Sequence, residues 1–431
     1  MRPGAHIKAA VEILEEVLNR HRPAASVLAD WGKSHRFAGS SDRAAIGNLV
    51  YDALRCRRSL AARMHTDAPR ALVLAAAAKA LGLTEAAVIA SADGSPHALA
   101  PLSETERTLL AGQPVAQAEA GIAGDIPDWL EASFARAFGR EAAAEGAALA
   151  RRAPVDLRVN TLKAEREKVL KALARFGAAA TPFSPVGVRL PAPEGGQRQP
   201  NVEAEVGHGR GWYEVQDEGS QLTALLALAG PRQQVLDICA GAGGKTLAFA
   251  ASMRNTGQVY AFDEDARRLR PSIERLRRAG ARNVQVLPAG NRAVLGALAD
   301  RFDLVFIDAP CTGSGAWRRR PDAKWRLRAA NLTQRQAEQR ALLAAAAGHV
   351  KPGGRLVYVT CSVLPEENGD QAAWFLASCP GFTALPWREA WALAVGGQAP
   401  ASADGRDEAL LLTPARHGTD GFFIASFLRQ A

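Results

Sequence analysis

Two cysteines stand just past two apolar, strand-like runs, in Asp308-Ala309-Pro310-Cys311 and in Thr360-Cys361-Ser362. A thiolate is a potent nucleophile near neutral pH. One Cys taken alone is usually a small buried hydrophobe. Two of them, each at a strand end on the same edge of a sheet, would face one ligand. Asp308 reaches that edge too, and a carboxylate followed by Pro-Cys is uncommon in a purely structural role. Gly313 and Gly315 keep the loop after Cys311 open. Cys56 and Cys379 have no motif around them and read as packing residues.

A third strand end carries Val235-Leu-Asp-Ile-Cys-Ala-Gly-Ala-Gly-Gly-Lys-Thr246. Two phosphate-binding patterns come close and fail. A P-loop needs Gly at position 239, which is Cys. A dinucleotide turn needs a third Gly where Thr246 stands. What remains is a nucleoside-binding loop without a phosphate cradle, made of Cys239, Ala240, Gly241, Ala242, Gly243, Gly244 and Lys245. Cys239 reads as packing or backbone contact with the ligand. The next strand ends at Asp263, placed for a ribose hydroxyl pair. The competing reading is a structural glycine turn.

Directly after the Cys311 loop comes Trp317-Arg-Arg-Arg-Pro-Asp-Ala-Lys-Trp-Arg-Leu-Arg328. Arg318, Arg319, Arg320, Lys324, Arg326 and Arg328 alternate with Trp317 and Trp325. Cations neutralise phosphates and indoles stack on unpaired bases, so this run is expected to contact nucleic acid. The bland alternative is a solvated charge run. The net charge of +9 and isoelectric point near 9.6 favour an anionic partner, nucleic acid first. Arg267 to Arg282 reads as a solvated helix face that adds to the field.

These motifs need a scaffold. Apolar runs at 235–238, 259–262, 284–287, 304–307 and 356–359 alternate with helical patterns such as 265–279 and 332–349. Strand and helix in strict turn predict an α/β, doubly wound, mostly parallel sheet, with ligands at the carboxyl ends of its strands. Ahead of it, 157–161, 163–176 and 186–190 predict a small α+β unit. The first third reads as all helical, with Ile7, Val11 and Leu14, then Ile46, Leu49 and Val50, at helical spacing. Ala71 to Leu81 reads as a buried helix, and Pro96, Pro101 and Pro114 punctuate the stretch after it. The expected domains are 1–122, 123–205 and 206–431.

Five cysteines without CxxC spacing argue against a disulfide framework and a zinc ribbon. No metal is expected. The longest apolar run, 71–78, is far short of the roughly 20 residues that span a bilayer. The first ten residues lack a signal-peptide core. A cytoplasmic, monomeric protein with no membrane partner is expected.

Together these residues resemble the RsmB/Sun family of RNA cytosine-5 methyltransferases. Gln216-Asp217-Glu218-Gly219-Ser220 is similar to the family's segment ahead of the core, and residues 239–246 to its cofactor loop. The 308–311 and 360–362 segments match its two cysteine motifs. Pro365-Glu366-Glu367-Asn368 and Thr419-Asp420-Gly421-Phe422-Phe423 match its C-terminal signatures. Arg158-Val159-Asn160-Thr161 looks like the first strand of its small RNA-binding domain. The helical N-terminus is similar to the NusB-like domain of the bacterial rRNA members.

The resemblance implies a Rossmann-like core, S-adenosylmethionine as cofactor and RNA as partner, with small-subunit (16S) rRNA first and tRNA as the alternative. It implies Cys361 as nucleophile, Cys311 as the helper that releases product, and Asp308 at both the base and the cofactor. DNA cytosine-5 enzymes use a Pro-Cys nucleophile, which would be Cys311; the Thr-Cys at 360–361 points to RNA. Ala242 and Gly241 depart from the family's usual Pro and Ala, which predicts a more flexible loop. Asn291 stands where many members carry an Asp near the adenine and is expected to contact it. Rival readings are a non-catalytic RNA-binding factor and a P-loop NTPase, the latter disfavoured by Cys239.

Overall fold

The computed structural model describes residues 1–112 and 119–431; Pro114 lies outside the described residues. The chain forms two compact units. The first holds 1–153, 192–200 and 317–327; the second holds 154–191, 201–316 and 328–431.

The first unit is helical because its apolar residues recur on one helix face after another. Helices Pro3–Asn19, Ser40–Arg55 and Pro69–Leu81 meet through Ile7, Leu14, Leu49, Val50, Leu72 and Val73, all buried. Pro3 and Pro69 stand in the first helical turn, where no intrahelical N–H is needed. Gly82, with φ +68°, ends the third of these helices in the left-handed conformation glycine favours. Helices Glu131–Phe138 and Ala142–Leu149 belong to this unit as well.

The basic run folds differently from its expectation. Trp317 is 1% exposed and stacks on Phe134 at 5.9 Å. Lys324 is buried, and its ammonium donates to the Arg55 carbonyl at 2.8 Å. The Trp325 indole donates to the Leu54 carbonyl at 2.5 Å. Arg55 in turn donates twice to the Arg318 carbonyl, at 3.1 and 2.9 Å. The last carbonyls of helix Ser40–Arg55 have no intrahelical donor, and a cation is favoured at that negative end. Trp317, Arg318 and Lys324 are therefore buried inside the helical unit, where the sequence reading expects side chains exposed to RNA. Arg326 is ion-paired with Asp322 at 2.9 Å, Arg319 is half-buried, and Arg320 stays exposed. The physical reason is that a large indole gains more from burial than from water.

Burial pushes the Lys324 ammonium down from 10.5 to about 8, against the pull of Asp125 and Cys56. Below pH 8 the folded chain carries the cost of a buried charge. Between pH 8 and 10.5 the unfolded chain holds a proton that the folded chain has released, so stability rises with pH. The raised Cys56 and Cys239 thiols act with the opposite sign over the same range, so the expected urea-denaturation result is a slope of stability against pH that is more positive in the wild type than in Lys324→Met.

The second unit contains two sheets. The small one has order β2-β3-β1-β4, from β1 (Val155–Val159), β2 (Ala179–Ala180), β3 (Gly187–Leu190) and β4 (Tyr213–Val215), all antiparallel. Helix Arg166–Leu173 turns Val169 and Leu173 into the core formed with Leu157, Val188 and Leu190. Arg158 on β1 is buried and donates to the Gln216 side chain and to the Gly244 carbonyl, both at 2.6 Å. Asn160 donates to the carbonyls of Gly211 and Ala279, at 2.9 and 2.8 Å. The small sheet is thereby fastened beside the glycine loop.

The large sheet contains β5 (Gln234–Asp237), β6 (Gln258–Ala261), β7 (Val284–Val286), β8 (Phe302–Asp308) and β9 (Val350–Thr360), mutually parallel in the order β7-β6-β5-β8-β9. Strand order reverses between β5 and β8, the position at which such sheets bind ligands. The Rossmann-like core is the expected one. It is extended by β10 (Phe382–Leu385), β11 (Leu410–Leu412) and β12 (Phe422–Arg429), with β12 antiparallel to β9. Those three strands escape the sequence reading, although helices Gly369–Ser378, Trp387–Ala394 and Pro414–His417 stand between them and β9. Among the described residues, no helix is long and apolar enough to cross a membrane.

Candidate active site

β5 ends at Asp237 and passes through a tight turn into helix Gly244–Ser252. Gly241 and Gly243 have φ of +50° and +80°, and a Cβ on Gly243 would meet the Ser272 Cβ at 3.0 Å. Glycine is required there for both conformation and space. The Gly241 N–H donates to Asp263 at 2.9 Å, and the Asp265 N–H donates to the other oxygen of the same carboxylate at 2.9 Å. Asp263 is 2% exposed, with Arg268 at 3.8 Å. The carbonyl of Ala242 accepts from Arg275 at 2.7 Å, and the Ala240 N–H donates to the Phe262 carbonyl at 2.9 Å. The loop is thus tied to the end of β6 and to the helix beyond it.

Asp237 supports the turn from below, accepting from the Thr246 hydroxyl at 2.6 Å. Burial pushes its carboxyl up to about 7. Burial, then Asp237 and Asp263, push the Cys239 thiol well up, so it stays protonated and packs. Asn291, exposed beyond β7, caps a short helix by accepting from the Val294 N–H at 3.2 Å. Its amide nitrogen is a donor beyond that cap.

The chemistry-bearing groups converge at the ends of β8 and β9. Lys245, 8% exposed, ion-pairs with Asp308 at 2.6 Å, while the Asp308 side chain is 34% exposed. Lys245 also lies over the Phe422 ring at 5.4 Å. The sulfurs of Cys311 and Cys361 are 3.4 Å apart, and both residues are partly exposed. The hydrogen bond to Cys361 and burial hold the Cys311 thiol well above its ordinary range. Either sulfur can donate to the other. Ser314 and Ser362 meet at 2.9 Å beneath them, and the Gly315 N–H donates to the Cys361 carbonyl at 3.0 Å.

The geometry therefore brings together the glycine loop, Lys245, Asp308, Cys311 and Cys361. It places the Trp317 to Arg326 run in the helical unit instead. Sequence reasoning assigned no role to Asp237, Arg158, Glu367 or Asn368. Each nevertheless lies in a segment the sequence singles out, 158–161, 235–246 or 365–368. Among the described residues, no group of three or more His, Cys, Asp or Glu could hold a metal ion.

Fold and site together define a Rossmann-like methyltransferase core carrying a pair of adjacent thiols. Comparison with known proteins narrows this. The model of the 16S rRNA methyltransferase RsmB/F family matches residues 224–428, and that of the RsmF/B-like ferredoxin-like domain matches 126–195. A probable ribosomal RNA small subunit methyltransferase B of Synechocystis is 33% identical over 306 residues, covering 70% of this chain. Its namesake in Sodalis glossinidius is 36% identical over 306 residues, again covering 70% of this chain. Each match spans 66% of the relative's own length. The crystal structure of PH0851 superposes with a TM-score of 0.74 at 25% identity, covering 99% of both chains. The chain belongs to the RsmB/F family of methyltransferases.

Proposed function

We propose that this protein methylates carbon 5 of a cytosine in RNA, with small-subunit rRNA as its substrate and S-adenosylmethionine as its methyl donor. One observation carries the reading: two thiols 3.4 Å apart beside an ion-paired carboxylate, at the strand ends next to the glycine loop. The donor set suits a nucleoside cofactor. Gly241, Gly243 and Gly244 leave room for close backbone approach, Asp263 lies under the turn, and Asn291 comes just after the third strand. When bound, S-adenosylmethionine supplies an electrophilic methyl group on a sulfonium sulfur.

Carbon 5 of cytosine is a poor nucleophile. Cys361, as thiolate, adds to carbon 6, and the displaced electron pair makes carbon 5 an enamine carbon able to take the methyl group. Asp308, held by Lys245, meets ring nitrogen 3 and the exocyclic amine as charge builds in the ring. Water takes the proton from carbon 5, its electron pair restores the double bond between carbons 5 and 6, and the Cys361 sulfur leaves carbon 6 as a thiolate that the neighbouring Cys311 thiol stabilises by hydrogen bonding, which is how Cys311 assists release. One difficult step is divided into easier ones by covalent catalysis. The base reaches such a site unpaired or flipped out.

Bisulfite sequencing of rRNA and tRNA from a strain lacking the gene tests the proposal. A 5-methylcytosine lost from small-subunit rRNA is expected. One lost only from tRNA would overturn the substrate, and no loss from either would overturn the reaction.

A further inference from the structure

We infer that Glu367 and Asn368 are positioning residues that set the separation of the two thiols, Glu367 gripping the Cys311 loop and reaching Ser362 beside Cys361, and Asn368 gripping the Cys361 loop. Both lie just beyond β9 and are almost wholly buried. The Glu367 carboxylate accepts from the Thr312 N–H at 2.8 Å and from the Thr312 hydroxyl at 2.5 Å. Thr312 directly follows Cys311. The Gln339 amide donates to Glu367 at 3.1 Å and to the Pro310 carbonyl at 2.9 Å. Pro310 directly precedes Cys311, so the Cys311 backbone is held on both sides.

Asn368 does the same for Cys361. Its side-chain oxygen accepts from the Thr360 hydroxyl at 2.5 Å, and its amide donates to the Ser362 carbonyl at 2.9 Å. Thr360 and Ser362 flank Cys361. Because residues 367 and 368 are consecutive, a single rigid peptide joins the two grips. The Tyr358 hydroxyl donates to the Glu367 carbonyl at 2.7 Å and ties that peptide to β9 itself. Burial raises the Glu367 carboxyl, and its bonds from Ser362, Thr312 and Gln339 oppose that rise. Buried polar groups this fully bonded are costly to rearrange. Neither side chain needs to touch the base; each acts through the loop it holds.

This inference rests on Cys311 and Cys361 being the reacting thiols, so its test includes an arm that needs no turnover. Diamide takes one hydrogen from each of two thiols and leaves a disulfide. In the wild type, the Cys311–Cys361 cross-link is expected to form readily, read by mass spectrometry of the linked peptides. Asn368→Ala and Glu367→Gln are expected to slow that cross-link about tenfold. They are also expected to lower single-turnover methyl transfer about a hundredfold, the scale of an ångström-sized misplacement, with the Kd for S-adenosylmethionine within about twofold of wild type. Asn368→Asp keeps the acceptor for Thr360 and is expected to fall between. Should Asn368→Ala fail to fold, Thr312→Val removes one hydroxyl from the Glu367 grip and carries the same test. Wild-type cross-linking and transfer rates in the variants would overturn the inference. So would a parallel loss of melting temperature and cofactor binding, which marks a folding role only. Slowed cross-linking in the variants, with no methylation of any RNA by the wild type, would uphold the clamp and sink the proposed function.

Discussion

Cys361→Ser is expected to abolish methyl transfer, with a loss on the order of 10⁶-fold, the scale seen when a covalent nucleophile is removed. Cys311→Ser is expected to behave differently. Its Cys361 still adds to the base, but release is impaired, so a protein–RNA adduct should persist on a denaturing gel. The asymmetry arises from the pair itself. The sulfurs are 3.4 Å apart, and the Cys311 thiol is held protonated by its bond to Cys361 and by burial. A sulfur held as thiol is a poor attacking group, because the thiolate is the nucleophile. An adduct trapped in Cys361→Ser instead would exchange the two roles. Transfer surviving in both variants would exclude thiol chemistry altogether.

Trp317→Ala is expected to destabilise the helical unit by about 3–5 kcal/mol, the usual cost of removing a fully buried Trp side chain. Trp317 is 1% exposed and stacked on Phe134, so its removal leaves a cavity. Chemical denaturation followed by the far-ultraviolet signal of the helices measures it. The base-stacking role read from the sequence makes the opposite demand: an unchanged denaturation midpoint and weaker RNA binding. A loss of stability below about 1 kcal/mol would restore that role. Arg320→Ala serves as the reference, since Arg320 is exposed and surface substitutions rarely shift stability by more than about 0.5 kcal/mol.

The contrast between these two predictions shows what is legible in the chain. The five parallel strands are readable because each is a short apolar run ended by a turn or a polar residue, and because helices intervene between them. The candidate site is readable because Cys311 and Cys361 come soon after such runs, and a doubly wound sheet gathers its strand ends on one edge. Other features carry no local signal. β12, with Phe423, Ile424 and Ala425 buried, pairs antiparallel with β9 across a long stretch of chain that no periodicity links. Lys245 and Asp308 are 63 residues apart, and only the adjacency of β5 and β8 closes them to 2.6 Å.

Residue order alone settles which groups are available and which strand end each one occupies, since an apolar strand running into Gly, Asp or Cys can be read locally. Distance and environment are decided only by the folded chain. The two sulfurs lie 3.4 Å apart on loops that are bonded to Glu367 and Asn368, and the burial of Trp317 and Lys324 depends on helices far earlier in the chain, with Lys324 bonded to Arg55 across 269 residues. A charge run on paper looks the same whether its cations face phosphate or cap a helix. Burial and hydrogen bonding across the tertiary structure separate the two, because desolvation acts on where a side chain ends, not on what stands beside it in the chain.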